Sequence, residues 1–301
     1  MSWAAKKLRV KTTMHFNPVV DKTVIIVAGP TAVGKTAEAI SMAKSLNTEI
    51  ISADSRQCFK ELEIGVARPS AAELAEVKHY FIANHSIHEN ITAGSFAREA
   101  KQYLDSIFKT RDTAVICGGT GLYIKALVEG LDEIPTTPAE VRDKVIQLFE
   151  TKGVEGLRNE LLEKDPAFEA HGDTNNPNRM MRALEVVLHT GTPLHQFHVQ
   201  AENRGINSIY NIEYRIISLP REVLYQRINE RVDKMMAHGL EEEARAVYPF
   251  KELTALQTVG YKELFDYFDG ICNREEAIEK IKQHTRNYAK RQITWFKRYE
   301  D

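Results

Sequence analysis

The sequence predicts an α/β protein: a mainly parallel sheet flanked by helices, organised around a phosphate-binding loop and interrupted by an all-helical insertion. Three observations predict it. Thr23-Val24-Ile25-Ile26-Val27-Ala28 is an apolar, β-branched run of the kind that forms a buried parallel strand. Directly behind it, Gly29-Pro30-Thr31-Ala32-Val33-Gly34-Lys35-Thr36 matches G-x-x-x-x-G-K-[ST] in full, and Ala37, Ala39, Ile40, Ala43 and Leu46 then recur at helical spacing. Finally, from about residue 136 to 205 the apolar spacing stays near 3.6 with hardly a strand candidate.

Strand, glycine loop and helix form a P-loop NTPase-like cradle. Backbone N–H groups and the positive helix N-terminus hold a phosphate chain without help from side chains. Lys35 adds a point charge, and the Thr36 hydroxyl is a candidate ligand for Mg²⁺. The motif does not say which di- or triphosphate is held, or which bond breaks.

The chain of 301 residues is 43% hydrophobic and 27% charged, the composition of a soluble globular protein. A net charge of −2 excludes a protein that is basic all over, so a nucleic-acid partner must be met by a local patch. Cys58, Cys117 and Cys272 are widely separated and fit no metal spacing, which suits a reducing cytoplasm. No apolar run approaches the ~20 residues of a membrane span. Residues 1–21 carry Lys6, Lys7, Arg9 and Lys11 with no acid before Asp21. Without an apolar signal core and with few serines, they read as a flexible basic extension. The expected organisation is a catalytic core over 22–135 and 206–301 with a helical insertion over 136–205.

Along the core, Glu49-Ile50-Ile51-Ser52 is a short strand leading into Ala53-Asp54-Ser55-Arg56-Gln57. Ligands of open α/β sheets sit outside the carboxyl ends of the strands, so Asp54 is expected beside the phosphate loop. Three roles remain open for it: general base toward a second substrate, Mg²⁺-side carboxylate, or helix N-cap. His79-Tyr80-Phe81-Ile82 is a third strand candidate; His79, His85 and His88 lack metal-ligand spacing. Ser95 to Phe108 is an amphipathic helix. Thr113-Ala114-Val115-Ile116-Cys117 is another buried strand, running into Gly118-Gly119-Thr120-Gly121-Leu122-Tyr123. No Asp follows it, which argues against simple ATP hydrolysis.

In the insertion, helices are expected over 139–151, 154–163 and 178–190, the last closed by Gly191. Arg179 and Arg182 share a face there, as a salt-bridged surface or as a contact for a polyanion. The core resumes with Ile212 to Leu219 and a helix from Arg221 to His238, on which Arg227, Arg231 and Lys234 form a cationic row suited to clamping a diphosphate, or simply to facing water. Val259-Gly260-Tyr261-Lys262 makes a turn. Ile281 to Tyr299 has no acid. Its Lys282, Arg286 and Lys290 fall at i, i+4, i+8, the footprint expected for nucleic-acid backbone. Tyr288, Trp295 and Tyr299 lie on another face, more suited to packing than to base stacking.

From Val24 to Arg298 the chain resembles the tRNA dimethylallyltransferases. The resemblance is carried by the phosphate loop, Ile51-Ser52-Ala53-Asp54-Ser55-Arg56-Gln57, Ile64-Gly65-Val66-Ala67-Arg68-Pro69 and Gly118-Gly119-Thr120-Gly121-Leu122-Tyr123. Arg182-Ala183-Leu184-Glu185-Val186, Val259-Gly260-Tyr261 and Ala289-Lys290-Arg291-Gln292-Ile293-Thr294-Trp295-Phe296 agree as well. It implies transfer of a dimethylallyl group from dimethylallyl diphosphate to N6 of the adenine at position 37, beside the anticodon, in tRNAs reading codons that begin with U. On that resemblance, Gly29, Pro30, Thr31, Ala32, Val33, Gly34, Lys35 and Thr36 hold the diphosphate, with Mg²⁺ as cofactor on Thr36. Asp54 is the general base, Thr120 lies near the reacting centre, and Arg231 grips the diphosphate, the three forming the catalytic set. Asp54, Ser55, Arg56, Gln57, Thr120, Arg142, Asn178, Arg179, Met180, Met181 and Arg182 meet the tRNA anticodon stem-loop. A cytoplasmic monomer without a membrane partner is expected. The rivals are an adenylate isopentenyltransferase acting on free AMP, ADP or ATP, a P-loop kinase of a small metabolite, and a nucleotide-gated RNA-binding protein without chemistry.

Overall fold

Six strands form one sheet in the order β1-β6-β2-β5-β3-β4. They are β1 (Arg9–His15), β2 (Thr23–Ala28), β3 (Ile50–Ala53), β4 (His79–Tyr80), β5 (Thr113–Gly118) and β6 (Asn211–Ser218) in a computed structural model that describes residues 8–15, 20–197 and 205–299. All neighbours run parallel except β1, which pairs antiparallel with β6. The helices are α1 (Lys35–Ser45), α2 (Ala71–Glu76), α3 (Ala93–Ile107), α4 (Gly121–Val128), α5 (Ala139–Lys164), α6 (Phe168–His171), α7 (Pro177–Thr190), α8 (Arg221–Ala237), α9 (Leu240–Val247), α10 (Tyr261–Phe268) and α11 (Arg274–Phe296). This is the P-loop NTPase-like α/β fold. None of the described helices is long and apolar enough to cross a membrane.

The central strand β2 is apolar throughout because both its faces are covered. Val24, Ile26 and Ala28 pack into one cluster with Phe96, Leu104 and Tyr214. Ile25 and Val27 point the other way, against Ala39, Ile40, Leu224 and Ile228. Successive Cβ atoms of a strand alternate faces, so a run without polar residues is stable only when helices lie on both sides.

The chain divides into two compact units, one over 1–130 and 205–301, the other over 131–204. The second is helical, with α5 bent where Gly153 takes φ 64°, ψ −163°. Its own core gathers Val145, Leu157, Leu161, Phe168, Met180, Ala183, Leu184 and Val187. Asn176 caps α7 through the Arg179 N–H, with Pro177 at its first turn and Gly191 closing it at φ 70°.

The flexible extension expected over 1–21 needs correction where it is described. Arg9–His15 is a strand whose pairing with β6 runs from Arg9 opposite Ser218 to His15 opposite Ile212. The Thr13 hydroxyl also donates to the Tyr299 carbonyl at 3.2 Å. Almost every side chain of β1 is exposed, so it carries no buried face for an alternation to reveal. The free edge of β6 made it a strand. Lys6 and Lys7 lie outside the described residues.

Candidate active site

The carboxyl ends of β2, β3, β5 and β6 deliver the candidate residues. After β2 the chain turns through Gly29, at φ 148°, where a Cβ would lie 2.4 Å from the Ile217 carbonyl oxygen. Only glycine lets the loop start this close to β6. Gly34, in the left-handed region, opens α1. Lys35 folds back and donates to the Pro30 carbonyl at 2.8 Å. Burial lowers its pKa to about 8, against the opposing pull of Cys117 and Asp54. Thr36 follows at the head of α1, half-buried.

Helix α8, which follows β6, brings two arginines to the same loop. Arg231 Nη1 donates to the Thr31 hydroxyl at 3.4 Å, and Arg227 Nη1 to the Val33 carbonyl at 3.2 Å. Burial first, then the Arg227 charge, depress the Arg231 pKa, while Asp54 offsets them; a guanidinium nonetheless stays charged. Lys234, the third cation of the row read from the sequence, is exposed and lines no part of the cavity.

Asp54 sits at the end of β3. Its Oδ1 accepts from the Arg56 and Gln57 N–H groups, at 2.9 and 3.3 Å. No helix starts at Asp54, so the N-cap reading falls: the two backbone amides close a turn and orient a carboxylate that also lines the cavity. Beside it, Thr120 Oγ1 accepts from the Ser55 N–H at 3.1 Å, and the Thr120 N–H donates to the Ala53 carbonyl at 3.2 Å. Burial and then the Asp54 charge push the nearby Tyr288 phenol up to about 12.

Some of these groups line one cavity of about 690 Å³, while Lys35, Thr36, Thr120 and Arg227 are not on its wall. Thr31 and Arg231 lie on its wall with Asp54, Ser55, Arg56 and Tyr288, and Val66, Val232, Met235 and Leu240 supply apolar surface. The strip Ile64–Ala67 is fixed from below. The Glu243 carboxylate accepts from the Glu63, Ile64 and Gly65 N–H groups at 2.8–2.9 Å and from the Tyr261 hydroxyl at 2.6 Å.

Several sequence-predicted contacts are spent elsewhere. Gln57 is not a free RNA contact, because its Nε2 donates to the Val66 and Ala67 carbonyls at 3.2 and 3.0 Å and braces that strip. Met180 is fully buried in the core of the helical unit and cannot meet a ligand from there. Arg182 bonds the Thr137 hydroxyl, the Pro135 carbonyl and Glu185 within the same unit, whereas Arg142, Asn178 and Arg179 are exposed and Met181 half-buried. The C-terminal basic stripe is also corrected. Lys282 pairs with Asp233 and Glu279 at 2.9 and 3.0 Å, and Arg286 donates to Asn229 at 2.7 Å. Two of its three cations thus tie α11 to α8, and only Lys290 is exposed.

Sequence reasoning gave no role to Gln292 or Glu243. A lone glutamine or glutamate on a polar helix carries no periodic signal. Among the described residues no group of three or more His, Cys, Asp or Glu side chains could hold a metal by itself. A hard cation fits here only through oxygens, the Thr36 hydroxyl together with those of a bound diphosphate, which is the sparse protein ligation Mg²⁺ accepts.

A loop of the phosphate-binding pattern, reached by two arginines and with its Thr31 on the same cavity wall as an oriented carboxylate, is the arrangement of a P-loop-type α/β protein. Comparison with known proteins narrows this. The profile described as IPP transferase matches residues 57–299. A tRNA dimethylallyltransferase of Cytophaga hutchinsonii is 47% identical over 277 residues, covering 92% of this chain and 90% of the relative. One from Flavobacterium johnsoniae is 45% identical over 289 residues, covering 93% and 92%. The crystal structure of the Bacillus halodurans tRNA isopentenylpyrophosphate transferase is 34% identical, covers 92% of this chain and 87% of that one, and has a TM-score of 0.63. A eukaryotic dimethylallyltransferase, described as acting on tRNA, superposes with a TM-score of 0.74 at 25% identity, over 91% of this chain and 70% of that one. The chain belongs to the IPP transferase family and is a prenyltransferase.

Proposed function

We propose that this chain transfers the dimethylallyl group of dimethylallyl diphosphate to N6 of adenine 37 in tRNAs that read codons beginning with U. The observation that carries this reading is the single cavity holding Thr31 and Arg231 of the diphosphate side together with Asp54. In the reaction N6 attacks the allylic carbon and the carbon–oxygen bond to diphosphate breaks. The bonding pair departs on the diphosphate oxygen, and the N6 proton passes to Asp54. The cradle amides, Lys35, Arg227 and Arg231 stabilise the charge that develops on the leaving group. The Thr36 hydroxyl would help to hold Mg²⁺, which would supply further neutralisation of that charge when bound. Removal of the proton by a positioned base is typically worth about 10²–10⁴-fold.

The adenine has to leave the anticodon-loop stack to enter such a cavity, as targets of other base-modifying enzymes do. Ser55, Arg56 and Thr120 are assigned to the base side. Arg142, Asn178 and Arg179 are assigned to the stem-loop, since they remain exposed on the helical unit. The relatives' names support a tRNA acceptor, and the absence of an Asp after β5 disfavours a kinase. A cytoplasmic monomer is the working state. Incubating the protein with Mg²⁺, dimethylallyl diphosphate and either unmodified tRNA or AMP, followed by mass analysis of the nucleosides, tests the reading. Prenylated adenosine from tRNA alone is expected; prenylated AMP would replace this function with the free-nucleotide activity.

A further inference from the structure

Gln292 lies in α11, buried with 6% of its surface exposed, and both ends of its amide are engaged. Its Oε1 accepts from the Thr31 N–H at 2.8 Å, and its Nε2 donates to the Gly119 carbonyl at 2.9 Å. The two partners belong to different loops. Thr31 follows β2 in the phosphate cradle, while Gly119 follows β5 and precedes Thr120. A Cβ on Gly119 would lie 2.2 Å from the Gln292 Nε2, so this approach requires a glycine there. From Thr120 the path continues to the Ser55 N–H and thus to the residue next to Asp54. One amide therefore joins the loop of the leaving group to the loop beside the base.

We propose that Gln292 is a positioning residue for prenyl transfer, fixing the separation between the diphosphate in its cradle and the acceptor amine beside Asp54. The proposal rests on the transfer reading above and goes beyond it in naming what sets the reaction distance. Displacement requires attacking atom and carbon at about 3–3.5 Å, and a misplacement of about 1 Å can cost about 10²-fold. When the acceptor sits too far, water captures the allylic carbon instead. The carbon–oxygen bond to diphosphate still breaks with its electron pair leaving on diphosphate. The water oxygen bonds the carbon and releases a proton to solvent, giving dimethylallyl alcohol with no change of oxidation state.

Three variants test this. Gln292→Met keeps the volume and removes both hydrogen bonds. Gln292→Glu keeps an acceptor for Thr31 but turns a carboxylate oxygen toward the Gly119 carbonyl. Gly119→Ala displaces the amide without altering Gln292. Folding is checked by urea midpoint, and diphosphate released and prenyl groups transferred to unmodified tRNA are then counted in the same reaction. The expected result is a kcat for transfer lower by about 10²-fold, a KM for dimethylallyl diphosphate little changed because the cradle amides remain, and more diphosphate released per prenyl group transferred than in the wild type. Loss of packing alone would lower rate and stability without changing that ratio. An unchanged ratio in folded variants, with the wild type active, overturns the positioning role alone. Absence of transfer by the wild type overturns the transfer reading and this one with it.

Discussion

Replacing Lys35 by methionine should make the ligand-free protein more stable while disabling it. Burial depresses the Lys35 pKa from 10.5 to about 8. At about 1.4 kcal/mol per tenfold change in proton affinity, holding the ammonium in the folded protein at neutral pH costs about 3 kcal/mol. Two effects reduce the gain from removing it. The residue keeps part of its surface exposed, so solvent screens some of the cost, and the Pro30 carbonyl loses its donor. A stabilisation of about 1–2 kcal/mol remains, readable as a higher urea midpoint at neutral pH. The folded pKa lies below the unfolded one, so the unfolded chain binds more protons between pH 8 and 10.5. The wild type should therefore recover stability relative to Lys35→Met as pH rises through that window. Activity moves the other way. The wild-type kcat/KM for dimethylallyl diphosphate should fall above about pH 8 as free Lys35 loses its proton, while the variant, lower by about 10²–10³-fold, lacks this limb. A variant less stable than its parent at neutral pH, or a wild-type profile flat across the window, would refute the reasoning.

Asp54→Asn retains an oxygen to accept from the Arg56 and Gln57 N–H groups, so it should fold and bind tRNA normally. Its kcat should nevertheless fall by about 10²–10⁴-fold; retained turnover in single-turnover assays would end the base assignment. Neutralising Arg142 and Arg179 together should weaken tRNA binding and reduce the slope of log affinity against log salt by about 1 for each lost phosphate contact, and an unchanged slope in filter binding would place the RNA elsewhere. His85 bonds Glu89 through Nδ1 and Glu99 through Nε2, both at 2.9 Å. Burial opposes its charge, but the two carboxylates outweigh burial and raise its pKa. Its stabilisation is therefore complete below the ordinary imidazole range and lost as pH rises through the raised value. Urea midpoints from about pH 6 to about pH 9 should drop more for the wild type than for His85→Gln, and parallel curves would contradict the bridge.

Legibility in the sequence depended on whether a residue's role is local. The phosphate loop was readable because its backbone conformation is dictated by adjacent glycines between an apolar strand and a periodic helix. Asp54 and Thr120 were readable because the end of a parallel strand in such a sheet is a known address. The cationic row on α8 was half readable, since spacing gave the shared flank but not that Arg231 alone of the three lines the cavity, with Arg227 on the Val33 carbonyl and Lys234 exposed. By contrast, Lys282 and Arg286 looked like an RNA-binding stripe because their partners Asp233 and Asn229 lie in another helix, far away in sequence. Met180 shares a motif with exposed neighbours, yet α7 rotates it into the core.

From the amino-acid order alone came the α/β class, the phosphate cradle, the helical insertion and the expectation of a prenyl transfer. The first three rest on contacts between neighbours in the chain or on a motif with one physical solution, and the prenyl transfer on the resemblance to tRNA dimethylallyltransferases. Only the tertiary structure decided that Arg9–His15 completes the sheet, that Gln57 and Glu243 are braces, and that Gln292 links two loops far apart in sequence. Such roles depend on which distant backbone N–H or carbonyl lies within about 3 Å, a distance that no local pattern of polar and apolar residues encodes.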